Sequence, residues 1–74
     1  MIAEHDQIVL TRNLPEHELV AGDIATVIAI HRGGEGYTLE FMTVQGDTVA
    51  IVTVHADDVR PATEREVPHV RAAE

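Results

Sequence analysis

Ile24-Ala25-Thr26-Val27-Ile28-Ala29-Ile30-His31, Arg32-Gly33-Gly34-Glu35-Gly36 and Tyr37-Thr38-Leu39-Glu40-Phe41-Met42-Thr43 run in direct succession. The first segment is apolar and rich in β-branched residues, and reads as a strand. The second supplies three glycines, the residue type that gives a hairpin its positive φ angles. The third alternates. Tyr37, Leu39 and Phe41 fall on one face, with Thr38, Glu40 and Met42 on the other. The aromatic face is expected in the core, because Glu40 cannot be buried cheaply. Residues 24–31 are apolar on both faces, so periodicity does not fix which face turns inward.

Further strands lie on either side of this hairpin. Gln7-Ile8-Val9-Leu10-Thr11 reads as a first strand, and residues 12–23 form a long loop marked by Asn13, Pro15 and Gly22. Leu14 and Leu19 are expected to turn inward and pin that loop. Glu16–Leu19 suggests one helical turn, with Pro15 near its first position. After the turn Val44-Gln45-Gly46-Asp47, residues 48–54 form a fourth strand, again apolar on both faces. His55-Ala56-Asp57-Asp58 reads as a short turn of 3₁₀ type, and Val59-Arg60 as a brief last strand stopped by Pro61. Residues 62–74 show no core pattern and are expected to form a frayed or partly helical tail. The expected architecture is all-β: a small SH3-like five-stranded barrel over residues 1–61, whose closure would hide strand edges. The competing arrangement is an open antiparallel sheet completed by homodimerisation.

Composition narrows the function. The 74 residues include 5 basic and 13 acidic side chains, a formal net charge of −8, with no Cys, Lys, Ser or Trp. No disulfide or thiolate metal site can form. Nucleic-acid affinity rests on cations that displace counterions from phosphate, and anionic membranes also attract cations. This chain offers few cations, so neither partner is expected. The first residues lack the basic and apolar regions of a signal peptide, and no apolar run approaches the ~20 residues of a membrane helix. A cytoplasmic protein is the expectation, with a basic protein as partner.

The order of residues from Asp6 to Pro61 resembles a bacterial family known only as domain-of-unknown-function family 4926. The matching pieces are Asp6-x-Ile8-Val9-Leu10-Thr11, Leu14-Pro15-Glu16, Leu19-x-x-Gly22-Asp23-Ile24-x-Thr26-Val27-Ile28, Tyr37-x-Leu39-Glu40-Phe41, Gly46-x-Thr48, Val52-Thr53-Val54 and Asp58-Val59. Ala25 departs from the pattern, standing where Gly is expected. The resemblance implies an SH3-like fold and no established activity. It also implies relatives that are small proteins, some paired with a neighbouring gene product as an antitoxin or immunity partner.

Catalytic chemistry finds little support. Without Cys, Ser or Lys the common nucleophiles are missing, so no enzyme activity and no cofactor are expected. His17-Glu18-Leu19-Val20-Ala21 begins like a zinc-protease helix but lacks the second His four residues on, and reads as a solvated loop. Asp57-Asp58 beside His55 lacks the calcium-loop pattern, and reads as a pair of turn-capping acids. Gly33-Gly34-Glu35-Gly36 matches neither phosphate-binding pattern and joins two strands, whereas phosphate loops open helices. What stands out is the acids of the loops. In an SH3-like barrel Glu16, Glu18, Glu35, Asp57 and Asp58 would gather into one protein-binding acidic rim.

The leading expectation is a protein-interaction module, in its most concrete form an antitoxin- or immunity-like inhibitor of a basic protein. One alternative is a small accessory subunit of a larger enzyme complex. Another is a metal- or pH-responsive protein using the five His residues.

Overall fold

The structure is a computed structural model that describes residues 2–43 and 45–66. Five strands form: β1 (Gln7–Leu10), β2 (Ile24–His31), β3 (Gly36–Met42), β4 (Thr48–His55) and β5 (Val59–Pro61). They make one sheet in the order β4-β3-β2-β1-β5, with every neighbouring pair antiparallel. The described residues contain no α-helix, only 3₁₀ turns at Pro15–His17 and Ala56–Asp58. The second of these precedes the last strand, as the sequence suggested. The first begins at Pro15 rather than Glu16, because the proline ring already holds the φ that an opening turn needs.

The core follows the alternation of β3. Tyr37, Leu39 and Phe41 are buried, and they join Ile8, Leu10, Val27, Val52 and Val54 in one apolar cluster. Val59, from the far edge strand, belongs to the same cluster. A flat sheet cannot bring residues of both edge strands into one core, so the sheet is strongly curled. It is not strictly closed, because β4 and β5 do not pair with each other. Ala25 is fully buried in the cluster and faces Ile8 across the β1–β2 ladder. Its methyl is therefore part of the packing.

Strand β2 resolves the question its composition left open. Val27 pairs with inward-facing Leu39, yet the next inward contact of β2 is Ile30, opposite Tyr37. They lie three positions apart, and a regular strand would put them on opposite faces. The register shift between Val27 and Ala29 supplies the extra residue. Ile28 is thereby turned out to 39% exposure. On β4 the inward set is Ala50, Val52 and Val54, and the outward set is Ile51, Thr53 and His55.

The long first loop is packed, as expected from its two leucines. Leu14 and Leu19 are buried and exchange both main-chain bonds, at 2.8 and 3.1 Å, which closes a six-residue hairpin inside the loop. Asn13 Oδ1 accepts from the Ala21 N–H at 2.9 Å, and the Asp23 carboxylate from the Val20 N–H at 2.9 Å. These bonds fix the loop's main chain where no sheet ladder reaches it.

The start of the C-terminal segment is anchored. The Ala62 N–H donates to Gln7 O at 3.1 Å. Arg60 grips Glu66 through both terminal nitrogens, at 3.2 and 2.9 Å, and the Thr63 N–H donates to the same carboxylate at 2.6 Å. The expected frayed or helical tail falls mainly on residues 67–74, outside the described residues. The Arg60 fork, with the Thr63 amide, lowers the Glu66 pKa from 4.5 to about 2. A carboxyl depressed on folding adds stability above its unfolded pKa, and that stability is lost as pH falls through the folded value. The Glu66 contribution should therefore be complete above pH 4.5 and disappear between 4.5 and 2. An NMR titration of the Glu66 carboxyl carbon is expected to give a midpoint about 2. A midpoint near 4.5 would mean that the fork does not hold in solution.

Candidate functional site

Three connections meet around the second 3₁₀ turn, Ala56–Asp58. The Thr11 N–H, at the start of the first loop, donates to Asp58 O at 2.8 Å, and its hydroxyl reaches Asp57 O at 3.3 Å. The Ala56 N–H donates to Glu35 O at 2.9 Å, which fastens the glycine hairpin to the same 3₁₀ turn. In that hairpin Gly33 and Gly34 take φ of +68° and +111°, conformations open to glycine at no steric cost. The first loop, the hairpin and the 3₁₀ turn are thus linked through main-chain atoms.

The acids carried by these segments divide into two kinds. Glu16, Glu18, Glu35 and Asp57 are exposed. Glu16 lies within the 3₁₀ turn of the small hairpin of the first loop, close enough for its charge to act on Arg12. Glu18 occupies the left-handed corner of that hairpin, at φ 60°. Asp58 is different: it is 8% exposed, and its Oδ1 accepts from Arg12 Nε at 2.7 Å. The hydrogen bond from Arg12 holds the Asp58 carboxyl below its ordinary pKa, against the opposing effect of burial. Asp58 therefore ties the first loop to the 3₁₀ turn, while the other four acids face solvent. Asp58→Ala is expected to cost about 1.5–3 kcal/mol, the range for a hydrogen bond to a charged group. A urea melt by circular dichroism measures that cost, and a change below 0.5 kcal/mol would contradict the tie.

A feature the sequence did not announce lies beside Glu35. His31, on β2, and His55, on β4, both pair with Gly36 of β3. Residues paired across a ladder present their side chains to the same face. Gly36 has no side chain, so a gap opens between the two imidazoles. The resulting groove, about 240 Å³, is lined by His31, Arg32, Glu35, Gly36, Thr53, Val54 and His55. Two of its lining residues are joined through Thr38: His31 Nε2 lies 2.7 Å from Thr38 Oγ1, which lies 2.9 Å from Thr53 Oγ1. A Cβ on Gly36 would sit 3.0 Å from Val54 O, so the groove and the glycine depend on each other. The signal was available in the sequence only to a reader who knew the register, since 24 residues separate the two histidines. Among the described residues, no three His, Asp or Glu side chains gather as a metal-binding group.

The family model for a domain of unknown function (DUF4926) matches residues 4–61. The chain belongs to this family. The DUF4926 match takes in all five strands, both 3₁₀ turns and every acid of the three linked segments. It ends at Pro61, taking in Arg60 of the Arg60–Glu66 anchor but not Glu66. No curated protein and no solved structure matches the chain. Among the described residues, no helix is long and apolar enough to cross a membrane.

Proposed function

We propose that this DUF4926 protein is a non-enzymatic interaction module that docks a basic protein on the acidic segments gathered around its second 3₁₀ turn. The sheet itself is read as an SH3-like barrel left open along one seam. Its strand order, its long first loop and its 3₁₀ turn before β5 support that reading. The observation that carries the functional reading is the convergence of three acid-bearing segments through direct main-chain bonds. Such bonds fix where the charges sit, so the field is preorganised for a partner.

Charge accounting points the same way. Arg12 and Arg60 are held in ion pairs with Asp58 and Glu66. The remaining described cations, Arg32 and Arg65, face a large excess of carboxylates. A field of one sign steers an oppositely charged partner and raises the association rate. An antitoxin- or immunity-like inhibitor of a basic toxin or nuclease, acting in the cytoplasm, is the concrete form of the proposal.

Affinity capture from the source cell, with mass spectrometry at low and high salt, tests it. One stoichiometric basic protein, released at high salt, is expected. A partner retained at high salt would favour a permanent accessory subunit, whose interface would be apolar.

A further inference from the structure

The two edges of the sheet are built differently. β5 is three residues long, contains Pro61, and is flanked by the Arg60–Glu66 fork. Short length, proline and charge are the usual protections of an edge. β4 has none of these over Thr48–His55: it is eight residues long, six of them β-branched, with no Pro, Lys, Arg, Asp or Glu. Its irregularity is confined to its start, where Phe41 pairs with Ala50 and Met42 with Thr48. Ile51 and Val49 are also its most exposed large apolar residues, at 58% and 50%.

The main-chain geometry says what such an edge accepts. The Ala56 N–H donates to Glu35 O, which places the bonded pairs of the β3–β4 ladder at even-numbered β4 residues. Antiparallel ladders alternate. Val52 and Val54 therefore aim their N–H and C=O at β3, while Ile51 and Thr53 aim theirs outward. Among the described residues, no strand pairs with that side. A row of outward N–H and C=O groups is satisfied best by another strand.

Charge decides between a second copy and a foreign segment. Asp47 immediately precedes β4, and Asp57 follows it by two residues. Antiparallel pairing of two β4 strands sets the acidic start of one copy against the acidic end of the other, at both ends of the ladder. Like charges so placed are destabilising. A strand with an apolar-alternating centre and cationic ends meets the same acids favourably.

We infer that β4 is a strand-addition edge that takes an extended segment of the partner, apolar at alternate positions and flanked by Lys or Arg. The inference rests on the protein-binding reading above and adds the mode of binding. Basic flanks meet Asp47 and Asp57, and the partner's main chain extends the sheet to a sixth strand.

The test uses the full chain and a synthetic peptide with an alternating Val–Thr centre and paired Lys at each end. A control peptide carries paired Glu instead. Amide NMR is expected to show the Ile51 and Thr53 N–H groups shifting and gaining protection from exchange, with Val20 unaffected. The Lys peptide should bind at least about tenfold tighter than the Glu peptide. Ile51→Pro removes an outward N–H and no bond to β3, and Ile51→Lys guards the edge without touching the backbone. Each should weaken the Lys peptide about tenfold or more.

Absence of binding by the Lys peptide, equal binding of both peptides, or shifts confined to the loops would overturn the inference. So would a β4-paired dimer of the free protein in sedimentation. Binding of the captured partner at β4 that survives Glu16→Lys with Glu18→Lys would uphold the edge and count against the acidic segments as the docking surface, so the two readings fail separately.

Discussion

Phe41→Ala is expected to leave the protein largely unfolded near 37 °C. Phe41 is fully buried and the largest of the fully buried side chains. It stands across the ladder from Ala50, a small residue that cannot swing in to fill a vacancy. Removing a buried Phe costs about 3–5 kcal/mol through lost transfer energy and the cavity left behind. Natural domains hold roughly 0.05–0.15 kcal/mol per residue, and a single small core rarely supplies more than about 3–5 kcal/mol. The chain has no Cys, so no disulfide adds to that core. One substitution is thus comparable to the whole stability. Phe41→Leu keeps most of the volume and should cost much less, since volume-conserving swaps are tolerated best. Val49→Ala, at an exposed site, should stay within about 0.5 kcal/mol. Urea melts followed by circular dichroism compare the three. A loss below about 1 kcal/mol for Phe41→Ala would contradict the placement of the core.

The second large effect concerns binding. Lysine at Glu16, Glu18, Glu35 and Asp57 together is expected to slow association with the basic partner by a factor of ten to a thousand at low salt. Each reversal adds two charges, so the four carry the formal net charge from −8 to zero. All four side chains are exposed, and none makes a side-chain hydrogen bond or ion pair among those described. Fold stability should therefore change little, which separates a binding loss from unfolding. Asp58 is deliberately kept, because its carboxylate holds Arg12. A quadruple variant that unfolds like Phe41→Ala, or that binds as fast as the parent, would contradict this division of labour.

How much of this was legible beforehand depended on the range of the interaction. The β3 alternation is local, and Tyr37, Leu39 and Phe41 could be assigned to the core from their own segment. So could Leu14 and Leu19, apolar residues inside an otherwise polar loop. The inward face of β2 was not legible. The strand changes phase between Val27 and Ile30, and no pattern within eight residues records the register shift that causes it. As sequence, Asp58 is indistinguishable from the other loop acids, because its partner, Arg12, lies 46 residues away in the chain. The pairing is a product of the fold and leaves no local trace. The His31–Gly36–His55 groove was hidden for the same reason, since it exists only once three strands are in register. The exposure of β4 likewise follows from sheet order: β2 and β4 read alike as sequences, and only the topology makes one central and the other an edge.

The most direct test of the acidic segments as a docking surface is the association rate of the captured partner, measured against ionic strength. Parent and quadruple-lysine variant are compared side by side. The parent rate should fall at least about tenfold between low and high salt, while the variant starts slow and shows little salt dependence. Equal rates for the two proteins, unchanged by salt, would show that the acids of the three linked segments take no part in recognition.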